Sequence, residues 1–348
     1  MKKQALSRLI ILTFVMGCGA LDSLNPPTAT PSSTASPILT LTAAPSPTVA
    51  STATEIPTVC GAPPVMFILL IGSDARQNTY NIGLADAIRL VRVDFVEPVS
   101  IRLLPFPRDL YVEIPGIASH KGITHGKLNQ AYLYGNPGYG YYDGEGQGPG
   151  LLALTLKHNF GARVDRYAGV NLQTFVKIVD ALGGININLP YEIDGRVPKS
   201  KDFDRVFPAG NQHLDGYRAM LLARLRTQGD FQRIETQNLI LKALLAKAFN
   251  PVTFLRLPGL IEAFRGSVQT DLEPAEIGQL VCLAALIESE QFEFDAFPEE
   301  LFTAGRVQDP ALGNTSILTA DSGLLRQYVR NFNNGAPLVI EEGEGINP

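Results

Sequence analysis

The sequence of 348 residues contains no tryptophan and only three cysteines, Cys18, Cys60 and Cys282. Cysteines so few and so far apart exclude a disulfide-rich scaffold and a zinc knuckle. The four histidines do not show the HExxH spacing of a zinc protease. Positive charge is not in excess either, because the formal net charge is −5. We therefore expect neither a structural zinc site nor a nucleic-acid partner.

Motifs of several large enzyme classes are also missing. The sequence has no GxSxG elbow, no P-loop and no GxGxxG segment after a predicted strand. The glycine-rich segment 135–150 does not follow a strand of a βαβ unit, so we interpret it as a loop that covers a site and not as a phosphate cradle. Hydrophobic residues make up 45% of the chain, which is enough for a large core.

The N-terminal segment has the composition of an export signal and a tether. A positively charged start precedes the short apolar run 9–16, and Cys18 follows shortly, which is typical of a signal peptide over residues 1–18. The end of this segment resembles a bacterial lipobox and predicts lipidation of Cys18; ordinary secretion and an uncleaved anchor are the alternatives. Residues 19–60, rich in Ser, Thr, Pro and Ala, predict an extended tether. We expect an extracytoplasmic protein anchored to the membrane.

The folded part, from residue 61 to residue 250, alternates predicted strands with predicted helices. The apolar run 65–71, which ends at Gly72, predicts a buried central strand. Such alternation indicates an α/β fold with helices on both faces of a sheet. Further strands are predicted at 88–95, 99–104, 110–114, 166–170 and 185–189, and helices at 149–159, 172–182, 214–226 and 234–249.

The C-terminal third predicts an α-rich extension over residues 251–334, packed on the main domain, and a flexible tail over residues 335–348. The extension contains predicted helices at 252–264, 274–289 and 322–332 and a predicted strand at 292–297. Because export permits disulfides, Cys60 and Cys282 either pair, which ties the domain start to the extension, or remain two free thiols.

Charged and amide side chains collect near the predicted ends of strands and helices. In open α/β sheets the carboxyl ends of strands form the ligand crevice. Carboxylates and guanidiniums gathered there suit Mg²⁺ together with a phosphate or pyrophosphate. Each residue alone has a simpler interpretation: Asp230, for example, could cap a helix, and Arg224 and Arg226 do not share a helix face. The set comprises Asp74, Arg76, Asp86, Arg108, Asp109, Lys127, Asn129, Arg224, Arg226, Asp230, Arg233 and Gln237.

In their order these segments resemble the LytR-CpsA-Psr family of bacterial cell-wall glycopolymer ligases. The likeness covers about residues 65–250 and rests on the ordered pieces GSDAR (72–76), PRD (107–109), KLN (127–129), DALGG (180–184) and DFQR (230–233). The resemblance implies a three-layer α/β/α domain with a central mixed sheet and an apolar pocket for a polyprenyl chain. It also implies transfer of a phosphoglycan from a polyprenyl-pyrophosphate carrier to a peptidoglycan sugar hydroxyl, assisted by Mg²⁺ or Mn²⁺.

The resemblance further implies roles for individual residues. Asp74 and Asp86 would hold the metal. Asp109 would orient Arg108 or act as a base, and we prefer orientation because a carboxylate beside an arginine is a weak base. The pyrophosphate would be bound by Arg76, Arg108, Arg224, Arg226, Arg233 and Gln237, with Lys127, Asn129 and Asp230 in support. The polyprenyl pocket would use Val170, Phe175, Val176 and Val179, for which ordinary core packing is the alternative.

Two positions depart from the family pattern. Leu84 and Thr236 stand where relatives usually carry arginine, and loss of one charge-assisted contact to a phosphate costs about 1.5–3 kcal/mol. Arg89, three residues beyond Asp86, either replaces part of this charge or points elsewhere. The retained carboxylates and arginines favour a phosphotransferase. The losses favour a non-catalytic binder of lipid-linked glycan or cell wall, and a hydrolase of the same pyrophosphate is a third possibility.

Overall fold

A computed structural model describes residues 56–76, 79–197, 202–227, 229–248, 257–264, 266–310 and 312–339. The predicted signal peptide with Cys18, the tether up to residue 55, residues 252–256 of a predicted helix and residues 340–348 of the tail lie outside these ranges. Within them, no helix combines the length and apolar character that a membrane span requires.

Strands and helices alternate through most of the described chain. The strands are β1 (Val65–Ser73), β2 (Ala85–Asp94), β3 (Ser100–Phe106), β4 (Tyr111–Glu113), β5 (His125–Lys127), β6 (Arg166–Asn171), β7 (Ile185–Leu189), β8 (Ile193–Asp194), β9 (Val206–Phe207), β10 (Gly210–Leu214), β11 (Gln269–Thr270), β12 (Phe292–Phe294), β13 (Phe302–Asp309) and β14 (Gly313–Ala320). The helices are α1 (Leu128–Gly135), α2 (Gln147–Phe160), α3 (Leu172–Ala181), α4 (Gly216–Arg224), α5 (Asp230–Ala248), α6 (Leu257–Ala263), α7 (Pro274–Ala284) and α8 (Ser322–Asn333).

The central sheet has six strands in the order β11-β6-β1-β2-β3-β12. Strand β1 pairs in parallel with β6 and antiparallel with β2, so the sheet is mixed, as predicted. The apolar run of β1 makes it the central strand, because both of its faces are covered. One face packs Phe67 and Leu69 against a core that includes Leu151 and Phe332 of the helices α2 and α8.

Helices also cover the opposite face of the sheet, which completes three layers. Met66 and Ile68 of β1 pack there in a second cluster with Leu283 and Ile287, at and just beyond the end of α7. A third cluster joins α3, α4 and α5 to the ribbon β7–β10. The three-layer α/β/α fold is therefore confirmed, and these two groups of helices leave the carboxyl end of β1 facing a cavity.

The segment after residue 250 contributes more than helices. It supplies both edge strands of the central sheet, β11 and β12, and the hairpin β13–β14. Strand β12 lies within the strand predicted at 292–297, whereas β11 and the hairpin are not among the predicted strands. Cys60 and Cys282 form a disulfide, so of the two alternatives pairing is the one that the structure has. The side-chain amide of Gln279 donates to the carbonyl of Gly61 at 2.9 Å, beside the same junction.

Candidate functional site

A cavity of about 460 Å³ lies between the central sheet and the helices α3, α4 and α5. Its floor consists of alternate residues of three adjacent strands, because side chains two apart share one sheet face. Its opposite wall is apolar. The floor is Leu70, Gly72, Ala87, Arg89, Ala168 and Val170, and the wall includes Leu172, Phe175, Ile178, Met220, Ile240, Leu241 and Leu244.

Small side chains on the floor create the space. Gly72 and Ala87 lie opposite each other on β1 and β2. A Cβ atom added at Gly72 would lie 3.0 Å from the Cβ atom of Ala87, so the two strands leave no room for a larger pair. Ala168 continues the small surface on β6. The cavity is therefore a property of residue size on one face of the sheet.

One end of the cavity is charged. Its lining there includes Asp86, Arg108, Arg224, Arg226, Arg233 and Gln237, which we call the mouth. Nη1 of Arg108 is hydrogen-bonded to Oδ1 of Asp86. An apolar interior that ends in a cluster of guanidiniums fits an amphiphile with an anionic head.

The geometry of Arg224 and Arg226 differs from the sequence expectation. A helix over 214–226 would have turned them to different faces, but α4 ends at Arg224. Leu225 is extended, with φ −68° and ψ 145°, and its side chain packs against Gly195. In extended backbone, residues two apart lie on the same side, so both arginines reach the mouth.

Asp109 lies at the centre of an ion-pair network behind the mouth. Its Oδ1 accepts from Nζ of Lys127 at 2.9 Å, and its Oδ2 lies 3.7 Å from Nε of Arg108 and 3.8 Å from Nη1 of Arg226. Burial raises the pKa of Asp109, but hydrogen bonds from Asp230 and Lys127 and the charge of Arg108 outweigh it, so the pKa is below its ordinary value. This electrostatic environment favours an orienting role over a basic one.

Asp230 has the opposite electrostatic character. It is the first residue of α5, and its Oδ1 lies 3.2 Å from Nη2 of Arg233 and 3.5 Å from Nε of Arg226. Burial, and then the hydrogen bond with Asp109, raise the pKa of Asp230 to about 6. Asp230 is thus part of the charged network and more than a helix cap.

Asp74 directly follows β1 and is fixed by the backbone of Leu84. The N–H of Leu84 donates to Oδ1 of Asp74 at 2.7 Å, and the N–H of Asp74 donates to the carbonyl of Leu84 at 3.1 Å. Burial raises the pKa of Asp74; the hydrogen bond from Leu84 opposes this shift, and the nearby charge of Asp86 adds to it. Gly83 permits this contact, since a Cβ there would lie 2.6 Å from Oγ of Ser73.

The residues fit a divalent cation that shares its ligands with a phosphate. Asp74 follows β1, and Asp86 lies at the start of the neighbouring strand β2. The two carboxylates repel each other electrostatically, and a cation between them would relieve this repulsion. Among the described residues, no group of three or more His, Cys, Asp or Glu side chains could hold a metal ion. Two carboxylates with phosphate and water as further ligands are the usual arrangement for Mg²⁺.

Two supporting residues are also held by backbone pairing close to Arg108. The N–H of Asn129 donates to the carbonyl of Arg108 at 3.1 Å, and Lys127 lies opposite Tyr111 in the β4–β5 pair. Arg76 does not join the mouth: its side chain is exposed, and its carbonyl accepts from the amide of Gln173. The structure thus leaves Arg76 apart from the other predicted pyrophosphate ligands.

Of the four predicted pocket residues, two line the cavity and two do not. Val170 and Phe175 form part of its surface, whereas Val176 and Val179 are absent from it. Val179 is fully buried in the core that α3 shares with α4. The start of α4 covers Val176, where a Cβ at Gly216 would lie 2.2 Å from the carbonyl oxygen of Val176. Core packing therefore describes Val179, whereas Val176 is half-buried beneath α4 and lies outside the cavity.

Much of the wall is not apparent from the sequence. Met220, Leu241 and Leu244 line the cavity from α4 and α5, whose segments the sequence predicts only as helices. The sequence does contain one sign of the cavity. Small residues occupy the same sheet face on three adjacent strands: Gly72, Ala87 and Ala168.

Comparisons with known proteins identify relatives by sequence and by fold. The model of the LytR_cpsA_psr family matches residues 60–322. Regulatory protein MsrR of Staphylococcus aureus (strain COL) is 30% identical over 216 residues, which are 61% of this chain and 58% of that protein. The polyisoprenyl-teichoic acid–peptidoglycan teichoic acid transferase TagU of Oceanobacillus iheyensis is 29% identical over 217 residues, 62% of this chain and 61% of that protein. The chain thus spans about three fifths of the length of these curated relatives.

Solved structures share the fold. TagV of B. subtilis superposes with a TM-score of 0.59 at 22% identity, over 78% of this chain and 98% of that one. A structure described as TagT bound to LIIa-WTA has a TM-score of 0.56 at 20% identity, over 80% of this chain and 95% of that one.

Proposed function

The chain belongs to the LytR_cpsA_psr family, and we propose that it transfers a phosphoglycan from a polyprenyl-pyrophosphate carrier to a sugar hydroxyl of peptidoglycan. The observation that supports this proposal most is the cavity, whose apolar interior opens at a mouth of arginines and carboxylates. A polyprenyl pyrophosphate has the same division into an apolar chain and an anionic end. The names of TagU and of the TagT complex agree with a donor and an acceptor of this class.

The proposed reaction is a phosphoryl transfer. The oxygen of the sugar hydroxyl forms a bond to the phosphorus that carries the glycan, and the bond from that phosphorus to the bridging oxygen of the pyrophosphate breaks. The hydroxyl proton is released, and polyprenyl monophosphate leaves. Since negative charge spreads over the phosphate oxygens in such transition states, the guanidiniums of Arg108, Arg224 and Arg226 are suited to stabilise it.

We propose Mg²⁺ or Mn²⁺ as the metal, held by Asp74 and Asp86. When bound, the cation would neutralise phosphate oxygens of the donor. Arg108 contacts Asp86 directly and would be positioned by it, and Asp109 would hold the other side of the same guanidinium. Lys127 and Asn129 would keep Asp109 and the Arg108 backbone in place.

The acceptor named in this proposal lies outside the cytoplasm. The predicted export signal and the Cys60–Cys282 disulfide support the same location, because such bonds persist mainly in oxidising compartments. Lipidation of Cys18 and attachment to the membrane remain part of the proposal.

A second candidate function, binding without catalysis, is favoured by Leu84 and Thr236. Thr236 is buried on α5, and its hydroxyl donates to the carbonyl of Gln232 at 2.9 Å, so it supplies no charge to the mouth. Hydrolysis of the donor is a third candidate, since water and a sugar hydroxyl would attack the same phosphorus.

One experiment separates the three. Full-length protein in detergent micelles is incubated with a radiolabelled polyprenyl-pyrophosphate glycan, MgCl₂ and peptidoglycan fragments. Label in the peptidoglycan supports transfer, released phosphoglycan supports hydrolysis, and donor binding without turnover supports the binder. The variant Asp86→Asn should lose the activity, and the matched control Asp202→Asn, in an exposed ion pair with Arg205, should retain it.

A further inference from the structure

Arg89 is a buried cation on the floor of the cavity. It lies on β2, is 6% exposed and forms part of the floor. Its Nη1 donates to Oε1 of Gln237 at 3.3 Å and its Nη2 donates to Oδ1 of Asn238 at 3.0 Å, while its Nε has no hydrogen-bond partner. Burial lowers the pKa of Arg89 to about 10, so the side chain stays charged at neutral pH.

Arg89 lacks the carboxylate partner that Arg102 has on the adjacent strand. Arg102 is also 6% exposed, but its Nε and Nη2 donate to the carboxylate of Asp295 at 3.1 and 2.9 Å. Within the described ranges, Arg89 has no ion pair of this kind, and both of its acceptors are neutral amides. A buried guanidinium without a counter-charge is costly to a fold, which indicates that its partner is a ligand.

The position of Arg89 defines where that ligand group would lie. Arg89 pairs with Leu70 of β1. On β2, Arg89 lies three residues further into the cavity than Asp86, which lines the mouth. Gln237, its partner on α5, follows Arg233 by one helical turn, a rise of about 6 Å. Beyond this level the wall is apolar, with Leu241 and Leu244. Arg89 thus lies between the charged mouth and the apolar end.

The partners of Arg89 are arranged to aim it. Nε2 of Gln237 donates to the carbonyl of Ala223 at 3.1 Å, at the end of α4, which fixes the orientation of the amide. Oε1 of Gln237 therefore faces Arg89. Gln237, predicted as a pyrophosphate ligand, has both ends of its amide engaged in positioning the guanidinium.

We propose that Arg89 binds the phosphate that is attached directly to the lipid, while the arginines of the mouth bind the phosphate that is transferred. This inference rests on the proposed function, because it assumes a lipid pyrophosphate as the donor. When the bond between the bridging oxygen and the glycan-bearing phosphorus breaks, negative charge develops on the lipid phosphate. Arg89 stabilises this leaving group and then holds the product, polyprenyl monophosphate.

The test compares two ligands and three variants of the full-length protein in detergent micelles. The ligands are a polyprenyl monophosphate and the corresponding pyrophosphate, and the readout is the dissociation constant of each. Arg89→Met keeps an unbranched, flexible side chain and removes its charge. Arg89→Lys keeps the charge, and Arg226→Met removes a charge at the mouth.

Arg89→Met is expected to weaken monophosphate binding roughly ten- to a hundred-fold, and Arg89→Lys to restore part of it. Arg226→Met is expected to weaken mainly pyrophosphate binding. Arg89→Met without ligand should be at least as stable to heat as the parent, because an unpaired buried charge is removed. A merely structural arginine would instead give a less stable Arg89→Met variant with unchanged monophosphate affinity, which would overturn the proposal.

Two further outcomes separate this inference from the proposed function. If the parent binds lipid pyrophosphate and Arg89→Met binds each ligand with the same affinity as the parent, Arg89 is not a ligand-binding residue and the proposed function stands. If the parent binds neither lipid phosphate while remaining folded, both proposals are wrong. If inorganic phosphate displaces the monophosphate at equal concentration, the site binds anions without selecting a lipid, and the assignment of the lipid phosphate is wrong.

Discussion

The backbone N–H of Leu318 donates to the carbonyl oxygen of Asp109 at 2.8 Å, and thereby ties the C-terminal hairpin to the charged network of the mouth. Leu110 and Leu318 form a parallel bridge at the same point. Asp109 in turn contacts Lys127 and Arg108 through its side chain. The last part of the family match, up to residue 322, therefore contributes to the placement of the candidate site.

Replacement of Leu318 by proline should loosen this placement. Since the N–H of Leu318 points to Asp109, proline removes that bond and no bond within the hairpin. We expect pyrophosphate binding to weaken several-fold, consistent with the loss of about 0.5–1.5 kcal/mol for one hydrogen bond. The measurement is the dissociation constant of a polyprenyl pyrophosphate. Ser316→Pro, on the same side of β14, is the matched control, and an equal loss in both variants would contradict the prediction.

Asp86→Asn should abolish the effect of Mg²⁺ on donor binding. The amide keeps the size of the side chain but removes one of the two carboxylates that would hold the cation. We expect the parent to bind lipid pyrophosphate roughly ten-fold or more tightly when Mg²⁺ is added, and the variant to show no such gain. Titrations with and without Mg²⁺ test this, with Asp202→Asn as control. A full response to Mg²⁺ in Asp86→Asn would refute the metal site.

Asp230 should make the stability of the protein depend on pH. Its pKa in the folded state, about 6, is above the ordinary 3.8, so between these values the folded state binds the proton more strongly than the unfolded state. This contribution to the free energy of unfolding is therefore present below pH 4 and is lost as the pH rises through 6. Asp230→Asn should thus gain about 2 kcal/mol relative to the parent between pH 4 and pH 7. Urea unfolding of both proteins across this range checks it, and parallel curves would show that Asp230 does not titrate in this way.

Ala87→Leu should block the cavity without disturbing the mouth. The larger side chain would project from the floor into space that Gly72 and Ala87 leave open. We expect the affinity for a long polyprenyl pyrophosphate to fall roughly ten-fold, because a filled cavity excludes the chain, while inorganic pyrophosphate still binds. The comparison of the two ligands is the measurement. Ala304→Leu on the exposed strand β13 serves as control, and unchanged lipid affinity in Ala87→Leu would mean that the lipid binds elsewhere.

Leu84→Arg should restore charge to the mouth. The backbone of Leu84 already clamps Asp74, so the new side chain would start beside the two carboxylates. We expect lipid pyrophosphate to bind or to be transferred roughly ten-fold better, as for one charge-assisted contact. If neither affinity nor rate increases, another residue of this chain already supplies the positive charge, and Arg89 is the first residue to test.

The central strands and most of the mouth could be predicted from the sequence because they rest on strong local signals. The apolar run of β1 and the ordered polar motifs identify themselves without knowledge of distant contacts. The edge strand β11 could not be found, since two residues are too few to show a period, whereas β12 lies within the strand predicted at 292–297. The place of β12 at the sheet edge could not be predicted, because its partner β3 is far away in the chain.

The contents of the cavity wall depended on packing that the sequence does not display. An amphipathic helix such as α3 shows an apolar face, but not whether that face meets a core or a cavity, and so Val179 and Phe175 looked alike. The environment of Arg89 could not be predicted from the sequence either. Its neutral partners Gln237 and Asn238 lie 148 and 149 residues further along the chain, so only the folded structure could show that its charge has no carboxylate beside it.

Both edges of the central sheet are made by segments that come late in the sequence. Until Phe292–Phe294 has paired, β3 has an unpaired outer edge, and β6 has one until Gln269–Thr270 has paired. Pairing of Ile101 with Phe292 closes a very long loop, which slows assembly. A chain in which these two segments are displaced therefore exposes unpaired backbone groups of β3 and β6 to neighbouring strands, which favours aggregation.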